Sequence, residues 1–243
     1  MNNRVTLVTG ASRGIGAAIA LTLAEAGAKV IGTATTQGGA VKITTALSQY
    51  GGRGVVLNVT DVVAIDAVIK DIEARDGAVA ILVNNAGITR DGQFRKMSKA
   101  DWNAVISTNL DSMFNVTKQV IEDMITANFG RIINISSVNG QKGQFGQVNY
   151  STAKAGLHGF TMALAQEVAA KGVTVNTVSP GYIGTDMVKA IRPDVLEKIV
   201  AGVPAKRLGQ PEEIASIIAW IASDEGGYAT GADFSLNGGL HMG

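Results

Sequence analysis

The chain contains no cysteine and only two histidines, His158 and His241. The first absence excludes a disulfide framework and thiolate metal sites, and the second leaves no paired imidazole spacing for a metal, so none is expected. An excess of charge is missing too: 21 Lys and Arg against 20 Asp and Glu give a net charge of +1, with no block of one sign. A nucleic-acid footprint or a polybasic membrane anchor would need such a block. No apolar stretch reaches the roughly 18 residues of a membrane span. The first strand signal begins at Arg4, which leaves no room for an export signal before it. A cytoplasmic protein is expected, working on small molecules and on copies of itself. No linker, repeat or low-complexity segment divides the 243 residues, so residues 1–243 are expected to form a single domain.

What is present alternates. Val5-Thr6-Leu7-Val8 reads as a buried strand that runs into TGASRGIG at residues 9–16, after which Ile15, Ile19 and Leu23 recur at helical spacing up to Gly27. Further strand signals fall at Val30-Ile31, Val55-Val56-Leu57, Ala80 to Val83, Arg131 to Ile135, Val173 to Val178 and Asp233 to Leu236. Helical patterns occupy residues 39–50, Asp61 to Arg75, Trp102 to Leu110, Met113 to Ala127, Tyr150 to Ala170 and Ile214 to Ile221. The second of these is capped by Asp61 and turns Val62, Ile65, Val68, Ile69 and Ile72 inward. Strand and helix in alternation predict an α/β fold, a Rossmann-like doubly wound parallel sheet of about seven strands with helices on both faces. Residues 182–208, polar and holding two prolines, suit a mobile lid.

The chemistry centres on Ser136 to Lys154, SSVNGQKGQFGQVNYSTAK, where a polar Gly- and Gln-rich loop links a strand end to a helix start. Tyr150 and Lys154, four apart, share one helix face. An ammonium beside a phenol favours the phenolate and lowers its pKa, which suits the phenol for proton transfer to or from an oxygen. Ser137, at the strand end, can donate to the same oxygen. A Tyr and a Lys at this spacing are more often a plain exposed pair, so the rest of the chain has to carry the reading.

Gly10, Gly14 and Gly16 lie between the first strand and its helix, where missing side chains let backbone N–H groups and the helix dipole approach a pyrophosphate. Their spacing, G-x-x-x-G-x-G, departs from the common dinucleotide fingerprint. The same letters spell Gly10-Ala11-Ser12-Arg13-Gly14, a possible hydrolase elbow with Ser12 as nucleophile and His241 or His158 as base, although this turn follows the first strand. NAD sites place an acid about 20 residues beyond the turn. Here Gly32-Thr33-Ala34-Thr35-Thr36 stands there, no acid occurs from Ala26 to Thr60, and Arg13 lies in the turn, which favours NADPH. Asn58 and Asn84-Asn85-Ala86-Gly87 follow the third and fourth strands, at the sheet edge where ligands bind.

TGASRGIG, NNAG at residues 84–87, Asn109, Ser137, Tyr150-Ser151-Thr152-Ala153-Lys154 and Ser179-Pro180-Gly181, in this order, resemble the classical short-chain dehydrogenase/reductase family over essentially the whole chain. The resemblance implies that Ser137 holds the substrate oxygen and that Tyr150 is the general acid. Lys154 would lower the Tyr pKa and touch the nicotinamide ribose, and Asn109 would hold a water linking Lys154 to solvent. It also implies a cofactor site at Gly10, Ser12, Arg13, Gly14, Ile15, Gly16, Thr35, Thr36, Asn58, Val59, Asn85, Ala86, Gly87, Tyr150, Lys154, Pro180, Gly181, Ile183 and Thr185. Many relatives carry Asp at the position of Asn58, whose amide oxygen can still accept from the adenine amino group.

Residues 4–93 resemble the 3-oxoacyl-[acyl-carrier-protein] reductases of fatty acid synthesis. From Phe94 onward, through SSVNGQKGQFGQ and GYIGTDMVKAI, the chain resembles acetoacetyl-CoA reductases that supply polyhydroxyalkanoate synthesis. Both imply NADPH-dependent reduction of a 3-oxoacyl thioester to the (R)-3-hydroxy product. The second implies acetoacetyl-CoA, with Gln144, Phe145, Gln147 and Tyr182 walling the acyl pocket. A homotetramer is implied, with helices 101–127 and 149–170 as one interface. A non-catalytic nucleotide sensor would have no need of Ser137, Tyr150 and Lys154 together. Carrier-protein reductases dock an acidic helix on two arginines flanking the active-site mouth. This chain has Asn128 and Lys171 at those places, with Arg131 and Lys142 near enough in sequence to replace the missing charge.

Overall fold

Seven short strands form one parallel sheet: β1 (Val5–Val8), β2 (Lys29–Ala34), β3 (Arg53–Val56), β4 (Ile81–Asn84), β5 (Gly130–Ile135), β6 (Val173–Pro180) and β7 (Asp233–Leu236). Their order is β3-β2-β1-β4-β5-β6-β7, with every neighbour parallel. The chain winds outward from β1 to β3, then crosses back to lay β4 on the other side of β1. That reversal places the ends of β1 and β4 side by side as a crevice. The computed structural model describes residues 1–189 and 192–242.

The helices are α1 (Gly14–Glu25), α2 (Gln37–Leu47), α3 (Val62–Arg75), α4 (Lys99–Ile106), α5 (Ser112–Thr126), α6 (Val138–Lys142), α7 (Val148–Val168), α8 (Asp186–Lys189), α9 (Pro193–Gly202) and α10 (Pro211–Ala222). They cover both faces of the sheet, because successive strand residues point to opposite sides and both sides are apolar. On one face Ile19 and Leu23 of α1, Ile43 and Leu47 of α2 and Ile214, Ile218 and Ile221 of α10 pack on Val8, Val83 and Ile133. On the other, Ile65, Ile69 and Ile72 of α3, Val116, Val120 and Met124 of α5 and Ala165 of α7 pack on Leu7, Leu82 and Ile132. No helix among the described residues is long and apolar enough to cross a membrane.

Three expectations need correction. Val62 is 52% exposed, because the first residue of α3 precedes the turn that meets the sheet; the cap itself forms, with Asp61 Oδ1 accepting from the Val63 and Ala64 amides (3.1 and 3.0 Å). The loop from Ser136 to Tyr150 contains α6, one polar turn too short to show a period. Residues 182–208 carry α8 and α9 rather than bare loop, while Ala190 and Ile191 of the GYIGTDMVKAI stretch lie outside the described residues.

A buried polar row crosses the sheet just below its carboxyl edge. Asn84 donates to Asn134 Oδ1 (2.9 Å) and Thr117 (3.3 Å), Asn134 donates to Thr161 (2.9 Å), and Thr161 meets Thr177 (2.8 Å). The row pins α5 and α7 to β4, β5 and β6. Asn134 is fully buried, so Asn134→Leu strands partners on both sides without water to replace it. A loss of about 2–4 kcal/mol in urea unfolding is expected; a loss below about 0.5 kcal/mol would mean the row carries no stability.

Candidate active site

The crevice between β1 and β4 is a glycine cradle. Gly10 and Gly14 hold φ of +67° and +56°, and a Cβ on Gly16 would run into the Gly10 carbonyl and the Asn85 amide. The extended Arg13, exposed, starts α1. A Cβ on Gly14 would also stand 3.2 Å from Thr185, so the segment after β6 reaches the turn at Thr185, while Gly181 and Ile183 on the same segment lie against Asn237 and Gly209. Backbone amides at a helix N-terminus, with side chains absent where a flat anion would lie, fit a dinucleotide pyrophosphate. Thr35 and Thr36 are exposed at the end of β2, and Thr36 Oγ1 also caps α2 through the Gly39 amide (3.2 Å).

The asparagines near this cradle serve the fold as well. Asn85 spends its side-chain amide on the Thr9 and Gly10 carbonyls (2.9 and 3.1 Å), tying β4 to the glycine turn, so that side chain is committed to the fold and Ala86 and Gly87 offer a small-residue surface to a ligand. Thr9 Oγ1 in turn accepts from the Asn85 and Ala86 amides (2.9 and 3.0 Å), and the Gly10 amide donates to buried Thr33 (3.1 Å). Neither threonine was singled out by the sequence. The Asn58 amide oxygen, expected to accept from adenine, already accepts from the Thr60 amide and hydroxyl (3.1 and 3.0 Å), and Val59 beside it is buried. Pro180 ends β6 on the same edge.

Across the sheet edge, β5 delivers Ser137 and α7 delivers Tyr150 and Lys154. Ser137 caps α6: its oxygen accepts from the Asn139 amide (3.1 Å). That bond occupies a lone pair and leaves the hydroxyl hydrogen for an outside acceptor. Burial pushes the Tyr150 phenol above its ordinary value, the Ser137 hydroxyl pulls it back, and the Asp91 carboxylate adds to the rise. Lys154 is 4% exposed, its Nζ donates to the Ile135 carbonyl (2.6 Å), and burial pushes it down to about 8. The expectation that Lys154 lowers the phenol is therefore not met in the protein alone. The shared helix face is real, with Nζ 5.7 Å from the Tyr150 ring centre, but desolvation outweighs the pair.

Asn109 lies 3% exposed in a five-residue π turn between α4 and α5. Its side chain is engaged at both ends, accepting from the Ile88 amide and donating to the Ile88 carbonyl (both 2.8 Å). It pins the loop after β4 against Lys154: a Cβ on Gly87 would be 3.2 Å from Asn109 and 3.7 Å from Lys154 Nζ. π turns recur at functional sites because they displace the backbone ladder.

On the substrate side, Gln144 and Phe145 are exposed, Phe145 by 83%, and Tyr182 is half-buried. Gln147 is held rather than solvated. Its oxygen accepts from Asn139 Nδ2 (2.9 Å) and its amide donates to both Asp91 oxygens (3.1 and 3.0 Å), while the Gly92 amide meets the Gly146 carbonyl (2.8 Å). Asp91 and Asn139 are thus part of the site although the sequence did not mark them. Asn139 lies within the SSVNGQKGQFGQ stretch without being marked in it, Asp91 belongs to no motif, and only the fold brings residues 91, 139 and 147 together.

Two expectations fail here. His158 lies against Ser136 and Asp233, not Ser12, which removes that base from the hydrolase reading. Asn128 and Lys171 precede β5 and β6, at the amino edge of the sheet, whereas Tyr150 sits at the carboxyl edge. Lys171 is some 20 residues beyond Tyr150, about 30 Å away along the helix. Arg131 is 5% exposed and donates to the Gly130 and Ser223 carbonyls (2.9 and 3.2 Å), so it cannot replace a docking charge.

The geometry agrees with the comparisons. Residues 4–196 match the family model described as short chain dehydrogenase, a family whose members use NAD or NADP. The chain is 61% identical, over its full length and that of the relative, to the acetoacetyl-CoA reductase of Cupriavidus necator. It is 51% identical to the acetoacetyl-CoA reductase of Allochromatium vinosum, covering 98% of this chain and 99% of that one. It is 53% identical to the 3-oxoacyl-[acyl-carrier-protein] reductase FabG of Escherichia coli K12, covering 98% of each. With a glycine cradle at the β1–β4 crevice and Ser137, Tyr150 and Lys154 beside it, the chain belongs to the short-chain dehydrogenase family.

Proposed function

We propose that the protein reduces acetoacetyl-CoA to (R)-3-hydroxybutyryl-CoA with NADPH. The observation that carries this is the meeting of Ser137 and Tyr150 over Lys154 next to the glycine cradle, in a chain similar from end to end to acetoacetyl-CoA reductases. Bound in that crevice, the reduced nicotinamide supplies the hydride for the 3-oxo carbon. Ser137 presents its free hydroxyl hydrogen to the 3-oxo oxygen. Tyr150, kept protonated by burial, gives its phenol proton to the same oxygen as negative charge develops there. Buried Lys154 holds a positive or easily protonated group beneath the phenol and replaces bulk water as its neighbour.

Arg13, exposed at the start of α1, together with Thr35 and Thr36 and an acid-free second strand, supports NADPH over NADH. Arg13→Ala is expected to weaken NADPH by about 10-fold or more, the worth of a charge-assisted phosphate contact, and to spare NADH. Fluorescence titration of both dinucleotides decides it: equal weakening of the two removes Arg13 from the 2′-phosphate.

The carrier-protein thioester remains the second reading, favoured by the similarity to FabG. The absent arginine at Asn128 no longer argues against it, because that position is remote from Tyr150 within the chain. Exposed Arg90, Arg95, Lys96 and Lys142 stand on the two loops that Gly92 and Gly146 join, and they suit the phosphates of CoA. Tetramer formation belongs to the same proposal, supported by Phe114 and Met162, 57% and 52% exposed on α5 and α7.

A further inference from the structure

Three consecutive residues at the end of β5 each grip α7. The Ile135 carbonyl accepts from Lys154 Nζ (2.6 Å), the Ser136 hydroxyl donates to the Lys154 carbonyl (2.9 Å), and the Ser137 hydroxyl acts on Tyr150. The middle grip has no part in the chemistry above. Ser136 is 3% exposed, and its other neighbour is His158 Nε2 (3.1 Å), one turn beyond Lys154 on α7. His158 Nδ1 faces Asp233 Oδ2 of β7 at 3.7 Å. Asp233 is itself fixed by donors from Ser179 (2.7 Å) and Gln141. A serine, a histidine and a carboxylate in line can form a nucleophile relay. Here the hydroxyl is shut away from solvent and aimed at a main-chain carbonyl, so no substrate reaches it.

We propose that His158 is a positioning residue for the reduction, acting through Ser136 to set the Ser137 donor against Tyr150 and Lys154. The reason is hydrogen counting. A hydroxyl has one hydrogen, and if Ser136 gives it to the Lys154 carbonyl, His158 Nε2 must be the donor to Ser136. The ring then faces Asp233 favourably only if Nδ1 carries a proton too, since a bare nitrogen and a carboxylate oxygen are both acceptors. A neutral ring takes the other arrangement, with Nδ1–H toward Asp233 and Nε2 accepting from Ser136. The Lys154 carbonyl then loses its side-chain donor. The grip closes with the charged ring and opens with the neutral one. Of the groups around the ring, Asp233 on β7 carries negative charge, Lys154 on α7 positive charge, and Ser136, Ser179 and Gln141 none. Because Ser136 adjoins Ser137 in the chain, slack at one is passed to the other.

The inference rests on the reduction proposed above, and its test keeps the two apart. Ser136→Ala is expected to lower kcat by about 10-fold, with KM and NADPH affinity changed less than about 3-fold, whereas His158→Leu, which removes the acceptor that competes for the Ser136 hydrogen, is expected to keep kcat within about 3-fold of wild type. His158→Gln, whose amide can donate to Ser136 as the charged ring does, is expected to keep kcat at or above the wild-type value near neutral pH. Thermal melts establish that each variant is folded. Wild-type kcat in Ser136→Ala, or a 10-fold loss in His158→Leu, would overturn the proposal. A readout independent of turnover uses the fact that the chain has only two histidines. Nitrogen-15 spectra of neutral His158 should show the Nδ1–H tautomer, and the Nε2–H tautomer contradicts it. A wild type inactive on acetoacetyl-CoA and on the carrier-protein thioester would overturn the function, while the tautomer still decides the positioning claim.

Discussion

Tyr150→Phe is expected to lower kcat by about 100-fold or more, the usual cost of losing a general acid, while NADPH affinity stays within about 3-fold. Among the described residues of the site, the phenol is the group placed to give a proton to the substrate oxygen and later recover it. Ser137 donates without losing its proton, and Lys154 Nζ is tied to the Ile135 carbonyl. Burial raises the phenol, so at neutral pH it is in the form that reduction needs, and the sign of the pH effect follows. Reduction should fade as pH rises through the phenol's value, and the residual activity of Tyr150→Phe should lose that alkaline limb. Steady-state kinetics against pH measures both. More than about a tenth of wild-type kcat in the variant would remove Tyr150 from proton transfer.

Lys154→Met is expected to move activity and stability in opposite directions. The ammonium is buried against a carbonyl and is pushed from an ordinary 10.5 down to about 8, so below pH 8 folding holds a charge that the protein disfavours. The cost is about 3 kcal/mol. The orphaned Ile135 carbonyl in the variant returns roughly 1–3 kcal/mol of it. At pH 7 the variant should therefore be at least as stable as the wild type, with kcat lower by about 100-fold. Between pH 8 and 10.5 the unfolded chain binds more protons than the folded one, so this residue makes wild-type stability rise with pH across that window. Any advantage of the variant should shrink there. Urea melts at pH 7 and at a pH near 9.5 test it, and a variant several kcal/mol less stable at pH 7 contradicts the account.

The inner strands were readable because each is a run buried on both faces, and the glycine turn because only missing side chains allow so close an approach to β4. Ser137, Tyr150 and Lys154 were readable from position along the chain. What they do to one another was not, since spacing fixes a shared face but says nothing of desolvation, which decides the phenol. The row of Asn84, Asn134, Thr161 and Thr177 was hidden because it exists only in the register of neighbouring strands. Asp91 and Asn139 were hidden because they meet through Gln147, across 56 and 8 residues of chain. The distance of Asn128 and Lys171 from Tyr150 within one chain was foreseeable. Both precede strands, and in a parallel sheet every strand start lies on the edge away from the site.

The central claim is reduction of a 3-oxoacyl-CoA with NADPH, and loss of NADPH absorbance on adding acetoacetyl-CoA tests it most directly, beside a carrier-protein thioester of equal chain length. The account predicts stoichiometric oxidation of NADPH, (R)-3-hydroxybutyryl-CoA as product, and a kcat/KM at least equal to that of the carrier-protein substrate. No oxidation with acetoacetyl-CoA, or a carrier-protein thioester with far higher kcat/KM, would contradict it.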